Sequence, residues 1–141
     1  MMGFKLEIVT PERVFFSDEV DMVILRGIDG DFAILKNRAP IITPLATGKI
    51  RIKKDGVERV ASISEGYVSV TREKTTVITD SAEWPEEIDV ERAKESKERA
   101  ERRLSQREGI DILRAEASLR RAINRLEVAK LIKNNKENIN H

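Results

Sequence analysis

Every aromatic residue of the chain stands at or before Trp84, and beyond Pro85 roughly half of all residues are charged. This break constrains folding more than any other feature, because the two sides cannot bury surface in the same way. Up to Trp84 the chain is rich in β-branched residues, Gly and Pro; after Pro85 it has no proline and a single glycine, Gly109. The first side can close a compact core. The second, dominated by Glu, Lys, Arg and Ala, can bury only a thin seam. A chain divided in this way is expected to work by moving its second part.

The totals set outer limits. With 141 residues the chain is one ordinary domain, or a small domain with an appendage. Its 26 basic and 25 acidic side chains nearly cancel, which argues against a general nucleic-acid binder. There is no cysteine, and the one histidine is His141, so a Cys/His zinc site and disulfide stapling are both excluded and no metal site is expected. No apolar run approaches the roughly 20 residues that span a bilayer. The opening Met1-Met2-Gly3-Phe4-Lys5 has neither a basic leader nor a long apolar segment. The expectation is a soluble cytoplasmic chain whose link to a membrane runs through a partner.

Residues 1–84 read as an antiparallel β-sandwich. Phe4, Leu6 and Ile8 alternate with Lys5 and Glu7, the period of a half-buried strand, until Thr10-Pro11-Glu12-Arg13 breaks it. A second strand is expected over Val20–Leu25, followed by a turn at Gly27-Ile28-Asp29-Gly30. The clearest hairpin is Ile50 to Val60, where Asp55-Gly56 suits the positive φ angles of a primed turn. Gly66–Val70 and Thr75–Thr79 complete the set, and Phe4, Phe15, Phe16, Phe32 and Tyr67 are expected in the core or on its rim.

Residues 85–133 read as an antiparallel two-helix hairpin, so the fold class is α+β with its two kinds of structure segregated. Val90, Ala93, Ala100 and Leu104 form one apolar stripe, interrupted by Lys97; Ile112, Ala115, Leu119, Ala122, Leu126 and Ala129 form another, and Gly109 breaks the chain between them. Pairs such as Glu95–Arg99, Glu98–Arg102 and Glu116–Arg120 are spaced to add about 0.2–0.5 kcal/mol each. The seam is thin enough for the hairpin to be marginal and able to refold. Residues 134–141 read as a disordered tail.

Two patterns in the hairpin bear on function. Ile88 to Ala93 and Ile110 to Ala115 both read I-D-x-x-R-A, which helix capping by Asp89 and Asp111 explains without a ligand. Arg92, Arg99 and Arg103 share one face of the first helix, as Arg114, Arg121 and Arg125 share one face of the second. Folding about Gly109 is expected to bring Arg92 towards Arg125 and Arg99 towards Arg121. Clustered like charges are destabilising unless an anion joins them. A solvated basic face, a polyphosphate ligand and an acidic protein surface all remain open at this point.

A family resemblance now enters. Val9-Thr10-Pro11, Gly30-Asp31-Phe32-Ala33-Ile34-Leu35 with Ala39-Pro40, Glu65-Gly66-Tyr67, Ala100-Glu101-Arg102-Arg103-Leu104 and Arg121-Ala122-Ile123-Asn124-Arg125-Leu126 follow one another in an order and spacing that resemble the epsilon subunit of bacterial F-type ATP synthases. The resemblance spans nearly the whole chain. It implies a non-catalytic subunit of the central stalk that binds the gamma subunit and the membrane rotor ring through its sandwich, peripheral to the cytoplasmic face of the cell membrane. It also implies a mobile helical arm that extends to the catalytic alpha and beta subunits and restrains ATP hydrolysis, its basic residues including Arg103, Arg114, Arg121 and Arg125.

No cofactor is required under this resemblance, but some family members hold ATP as a regulatory ligand in the folded hairpin. The matching positions here are Glu83, Ile88, Asp89, Arg92, Ala93, Arg99, Arg121 and Arg125, with Glu83, Asp89 and Arg92 on the base and sugar side and Arg99, Arg121 and Arg125 facing phosphates. No G-x-x-x-x-G-K-[ST] loop is present, so such a site would sense ATP rather than hydrolyse it. Asp31, Lys36 and Arg38 fall where a rotor-ring contact loop is expected, although many relatives carry glycine, proline and histidine in place of Ala33, Lys36 and Arg38. The rival reading is a free-standing adaptor with a sandwich and a coiled-coil arm. An RNA binder ranks below it, because glutamates interleave the basic faces, and an enzyme is disfavoured because the body of the chain offers no histidine base.

Overall fold

The computed structural model describes residues 3–106, 109 and 111–139. It divides into two compact units, Met1–Ala82 and Glu83–His141.

The first unit is built from strands β1 (Phe4–Val9), β2 (Val14–Val20), β3 (Met22–Gly27), β4 (Gly30–Leu35), β5 (Ile41–Leu45), β6 (Gly48–Lys54), β7 (Val57–Ile63), β8 (Gly66–Val70) and β9 (Thr75–Thr79), with β10 (Ala82–Glu83) at its end. The hydrogen-bonded order is β10-β7-β6-β3-β5-β8-β9-β1-β2, with β4 pairing on β3. β3 and β5 share only the Gly27–Leu45 pair, and there the path folds over into two layers. Between the layers lie Leu6, Ile8, Val23, Leu25, Ile34, Ile50, Ile63, Val68 and Val77, all buried. Period-2 alternation places them: Leu6 and Ile8 point inward while Lys5, Glu7 and Val9 do not.

Three features depart from the sequence reading. The run Val20–Leu25 is not one strand, because β2 ends at Val20 and β3 begins at Met22. Asp21 makes the corner: its N–H donates to the Lys53 carbonyl at 2.8 Å and its Oδ2 accepts from the Asp55 N–H at 2.9 Å. The sandwich is also not wholly antiparallel, since β1 pairs with β9 in parallel, Leu6 opposite Thr75 and Ile8 opposite Val77. Finally, β5 is a strand despite Pro44, which its nearly unpaired β3-facing edge tolerates. Across the fold, Lys54 Nζ donates to Asp18 Oδ2 at 2.7 Å. That bond, with the Glu19 N–H after it, holds the Asp18 carboxyl below its ordinary range.

The Asp55-Gly56 hairpin is as expected, with φ of 51° and 79°. In the second unit a 3-10 turn (Pro85–Glu87) leads into α1 (Val90–Gln106), and α2 (Ile112–Ile139) packs against α1 and the turn. Gly109, at φ 67°, supplies the left-handed residue between the helices. Asp89 Oδ1 accepts the Arg92 N–H and Asp111 Oδ1 the Arg114 N–H, both at 3.1 Å, so both repeats are N-caps. Ile88 is buried; Ile110 lies outside the described residues. Ala93, Ala100, Ala115 and Ala122 form the seam, joined by Asn124 and Val128, which the stripe did not include. Val90 and Ile112 stay exposed.

Among the described residues none of the three expected Glu–Arg pairs closes; α1 shows Lys94 with Glu91 at 3.7 Å instead. Exposed pairs of long side chains gain too little to hold one geometry. α2 continues to Ile139, into the segment read as a tail, since Lys133, Lys136 and Glu137 favour helix and neither Gly nor Pro stops it. Asn140 and His141 lie outside the described residues.

Candidate functional site

The small residues of the hairpin seam create its main surface feature. Ala100 and Ala115 let the helices approach closely, and longer side chains around them border a cleft of about 130 Å³. Its lining is Ser96, Arg99, Ala100, Arg103, Ala115, Ser118, Arg121 and Arg125: four guanidinium groups, two hydroxyls and no carboxylate. Arg121 Nη2 donates to Ser118 Oγ at 3.4 Å. Arg125 Nε donates to Glu83 Oε1 at 2.6 Å, a half-buried ion pair joining α2 to the segment that precedes the 3-10 turn. Four arginines around a space of this size suit condensed phosphate oxygens, which accept forked N–H donors.

The structure therefore brings Arg99, Arg121 and Arg125 together, adds Arg103, and places Glu83 beside Arg125. Arg92 and Arg114 do not join them in the cleft lining and both are exposed; Arg125 is instead paired with Glu83. Asp89 commits one carboxylate oxygen to its cap, with Ala93 bonded through its N–H to the Asp89 carbonyl at 3.0 Å. Ser96 and Ser118 were not singled out from sequence; each stands three residues before a cleft arginine, the spacing that shares a helix face.

Asp31, Lys36 and Arg38 do not form one loop. Asp31 is in β4 opposite Arg26 and pairs with it, whereas Lys36 and Arg38 follow the other end of that strand. Six residues of extended chain keep the two ends roughly 17–20 Å apart. Arg38 Nη1 donates to the Ala33 carbonyl at 3.1 Å.

The β unit also presents an apolar row on its outer face. Pro44 stands opposite Tyr67, Tyr67 opposite Ile78, and Ile78 opposite Val9, across β5, β8, β9 and β1. Tyr67 is 58% exposed, Ile78 52%, and nearby Ile42 76%. Tyr67 thus belongs neither to the core nor to its rim. Its strand partners signal this, because Val77-Ile78 puts apolar residues in both phases of one strand.

A β-sandwich carrying an exposed apolar row is followed by a helical hairpin with an arginine-lined cleft, and this two-part architecture defines the class of protein. Family models for the ATP synthase delta/epsilon chain match the whole arrangement: the beta-sandwich domain over residues 3–85 and the long alpha-helix domain over 86–130. The ATP synthase epsilon chain of Caldicellulosiruptor bescii is 51% identical over 140 residues, 99% of this chain and 100% of that protein. That of Alkaliphilus oremlandii is 60% identical over 106 residues, 75% of this chain and 79% of that one. A chain in the Euglena gracilis mitochondrial ATP synthase (OSCP/F1/c-ring) shares the fold, with a TM-score of 0.72 at 20% identity over 93% of this chain and 82% of its own. The chain belongs to the ATP synthase delta/epsilon chain family, as an epsilon-type, non-catalytic member.

Proposed function

We propose that this chain is the central-stalk subunit of an F-type ATP synthase that joins the rotor through its β-sandwich and restrains ATP hydrolysis through its helical arm. The observation that carries the docking half is the Pro44–Tyr67–Ile78–Val9 row. A contiguous exposed apolar strip on a rigid sheet is a protein-interaction surface, and the gamma subunit is its occupant in this reading. The rotor ring is contacted by another part of the same unit. Asp31 and the Lys36–Arg38 segment lie at different ends of β4, so in this reading they serve that contact at separate points rather than as one loop. Among the described residues no helix is long and apolar enough to cross a membrane, which suits peripheral attachment through the complex, at the cytoplasmic face.

The regulatory half rests on the arginine cleft. With the hairpin closed, Arg99, Arg121 and Arg125 gather, with Arg103, around a space that fits phosphates; opened, the same arginines with Arg114 present a basic arm to the catalytic alpha and beta subunits. ATP held in the cleft favours the closed form because it binds only there. The cleft is too small for a whole nucleotide, so the base and sugar lie outside it, towards Glu83, Ile88, Asp89, Arg92 and Ala93. No cofactor is required; ATP is a regulatory ligand.

The test is ATP hydrolysis by an F-type catalytic core depleted of its epsilon subunit, with the full chain or a version ending at Trp84 added back. Both versions should bind the gamma-containing core and only the full chain should inhibit, with the inhibition relieved as ATP rises; direct ATP binding by the free full chain should be lost in Arg121→Ala/Arg125→Ala. Failure of both versions to bind would overturn the stalk assignment in favour of a free-standing adaptor. Binding without inhibition would remove the braking role alone.

A further inference from the structure

A second cationic cleft lies entirely within the β unit. The segment entering β1, the β4–β5 loop and the β8–β9 turn border a space of about 470 Å³, within the range of small-ligand sites. Lys5, Lys36, Arg38, Arg72 and Lys74 line it against Glu19 and Glu73, leaving three positive charges in excess. The two loops are held by other bonds. Thr71 Oγ1 accepts the Lys74 N–H at 3.2 Å and donates to the Lys74 carbonyl at 3.0 Å, and Arg38 is tied to the Ala33 carbonyl. Lys74 Nζ reaches Glu7 at 3.3 Å. Among the described residues the side chains of Lys36 and Arg72 have no ion-pair partner. Phe4, Leu35, Pro40 and Val70 supply apolar wall, and Leu35 is half exposed.

At Lys36 and Arg72 the site holds positive charge that no ion pair among the described residues uses. Convergent cations repel one another, and an oxyanion among them removes that repulsion while accepting charge-assisted hydrogen bonds. A guanidinium on one loop and an ammonium on another suit a tetrahedral phosphate, one by a forked pair and the other as a point charge. The apolar wall suits the carbon skeleton that a phosphate ester carries. We propose that this cleft is a phosphate-binding site, with Lys36 and Arg72 as its principal donors. It is separate from the arginine cleft between the helices and does not rest on the rotor-ring assignment of Lys36 and Arg38. The same chemistry is offered by a soluble phosphate ester and by the headgroup of an anionic lipid.

Residue-resolved NMR on the full chain tests this, because it separates the two cationic clefts. Glycerol 3-phosphate is titrated first; vesicles containing phosphatidylglycerol, against neutral phosphatidylcholine vesicles, form a second arm read by co-sedimentation. The expected result is saturable shifts of the Lys36–Ala39 and Thr71–Lys74 amides, about tenfold or more weaker in Lys36→Gln/Arg72→Gln and unchanged in Arg51→Gln, a cation outside the cleft. Saturation with the soluble ester alone identifies a free phosphate compound. Vesicle retention that the double variant loses, without saturation by the ester, identifies a lipid headgroup. Shifts that rise linearly, or persist in the double variant, together with vesicle retention insensitive to it, overturn the proposal. The amide spectrum of the double variant reports its fold in the same experiment.

Discussion

Gly66 shows how one residue can be dictated by a neighbour distant in sequence. A Cβ placed on it would lie 1.9 Å from the Ile78 carbonyl oxygen and 2.9 Å from the Thr79 Cα, both backbone atoms that cannot turn aside. Gly66→Ala should therefore destabilise the β unit by more than about 2 kcal/mol, through overpacking rather than lost contacts. A lower urea midpoint with an unchanged slope would show it; a midpoint within error of the parent would mean that β8 and β9 are less tightly paired than described. The Glu65-Gly66-Tyr67 segment stands out in the sequence, but the clash does not, because the atoms responsible lie on the next strand. Asp55-Gly56 and the Asp89 and Asp111 caps were legible because their partners are within a few residues. Glu83 with Arg125 spans 42 positions, and spacing alone could not join them.

Among the elements, the strands best read from sequence are those with one buried face, such as β1, β6 and β9. β5 was hidden by Pro44, and the break at Asp21 by the apolar residues on either side of it. The hairpin was legible in outline, since heptad-like spacing and Gly109 determine it locally. Its deepest positions were less so: Asn124 and Val128 are buried although neither belongs to the alanine stripe, which reflects how α2 packs against α1 and the 3-10 turn. The alanines set the interhelical distance, and Ala122 is fully buried. Ala122→Leu should force the helices apart at a cost of about 1–3 kcal/mol. Amide exchange in α1 and α2 should accelerate while β-strand amides keep their protection, and the arginine cleft should weaken for pyrophosphate. Unchanged helical protection would show that the seam is not the limiting contact.

On the scale of the molecule, the two units differ in what holds them together. One has a many-residue apolar core; the other has an alanine seam and an ion pair. They should lose structure separately. Native-state hydrogen exchange in rising denaturant should release helical amides before those of β1, β8 and β9, and one shared opening free energy for both units would contradict the division. The order of assembly follows from the parallel pairing of β1 with β9. β1 waits for a partner whose last residue is Thr79, so the sheet cannot be completed until nearly all of the β unit has been synthesised. By then the hairpin, which follows β9 and β10, has still to be made. The sandwich can therefore close while the helices that follow it are still being made.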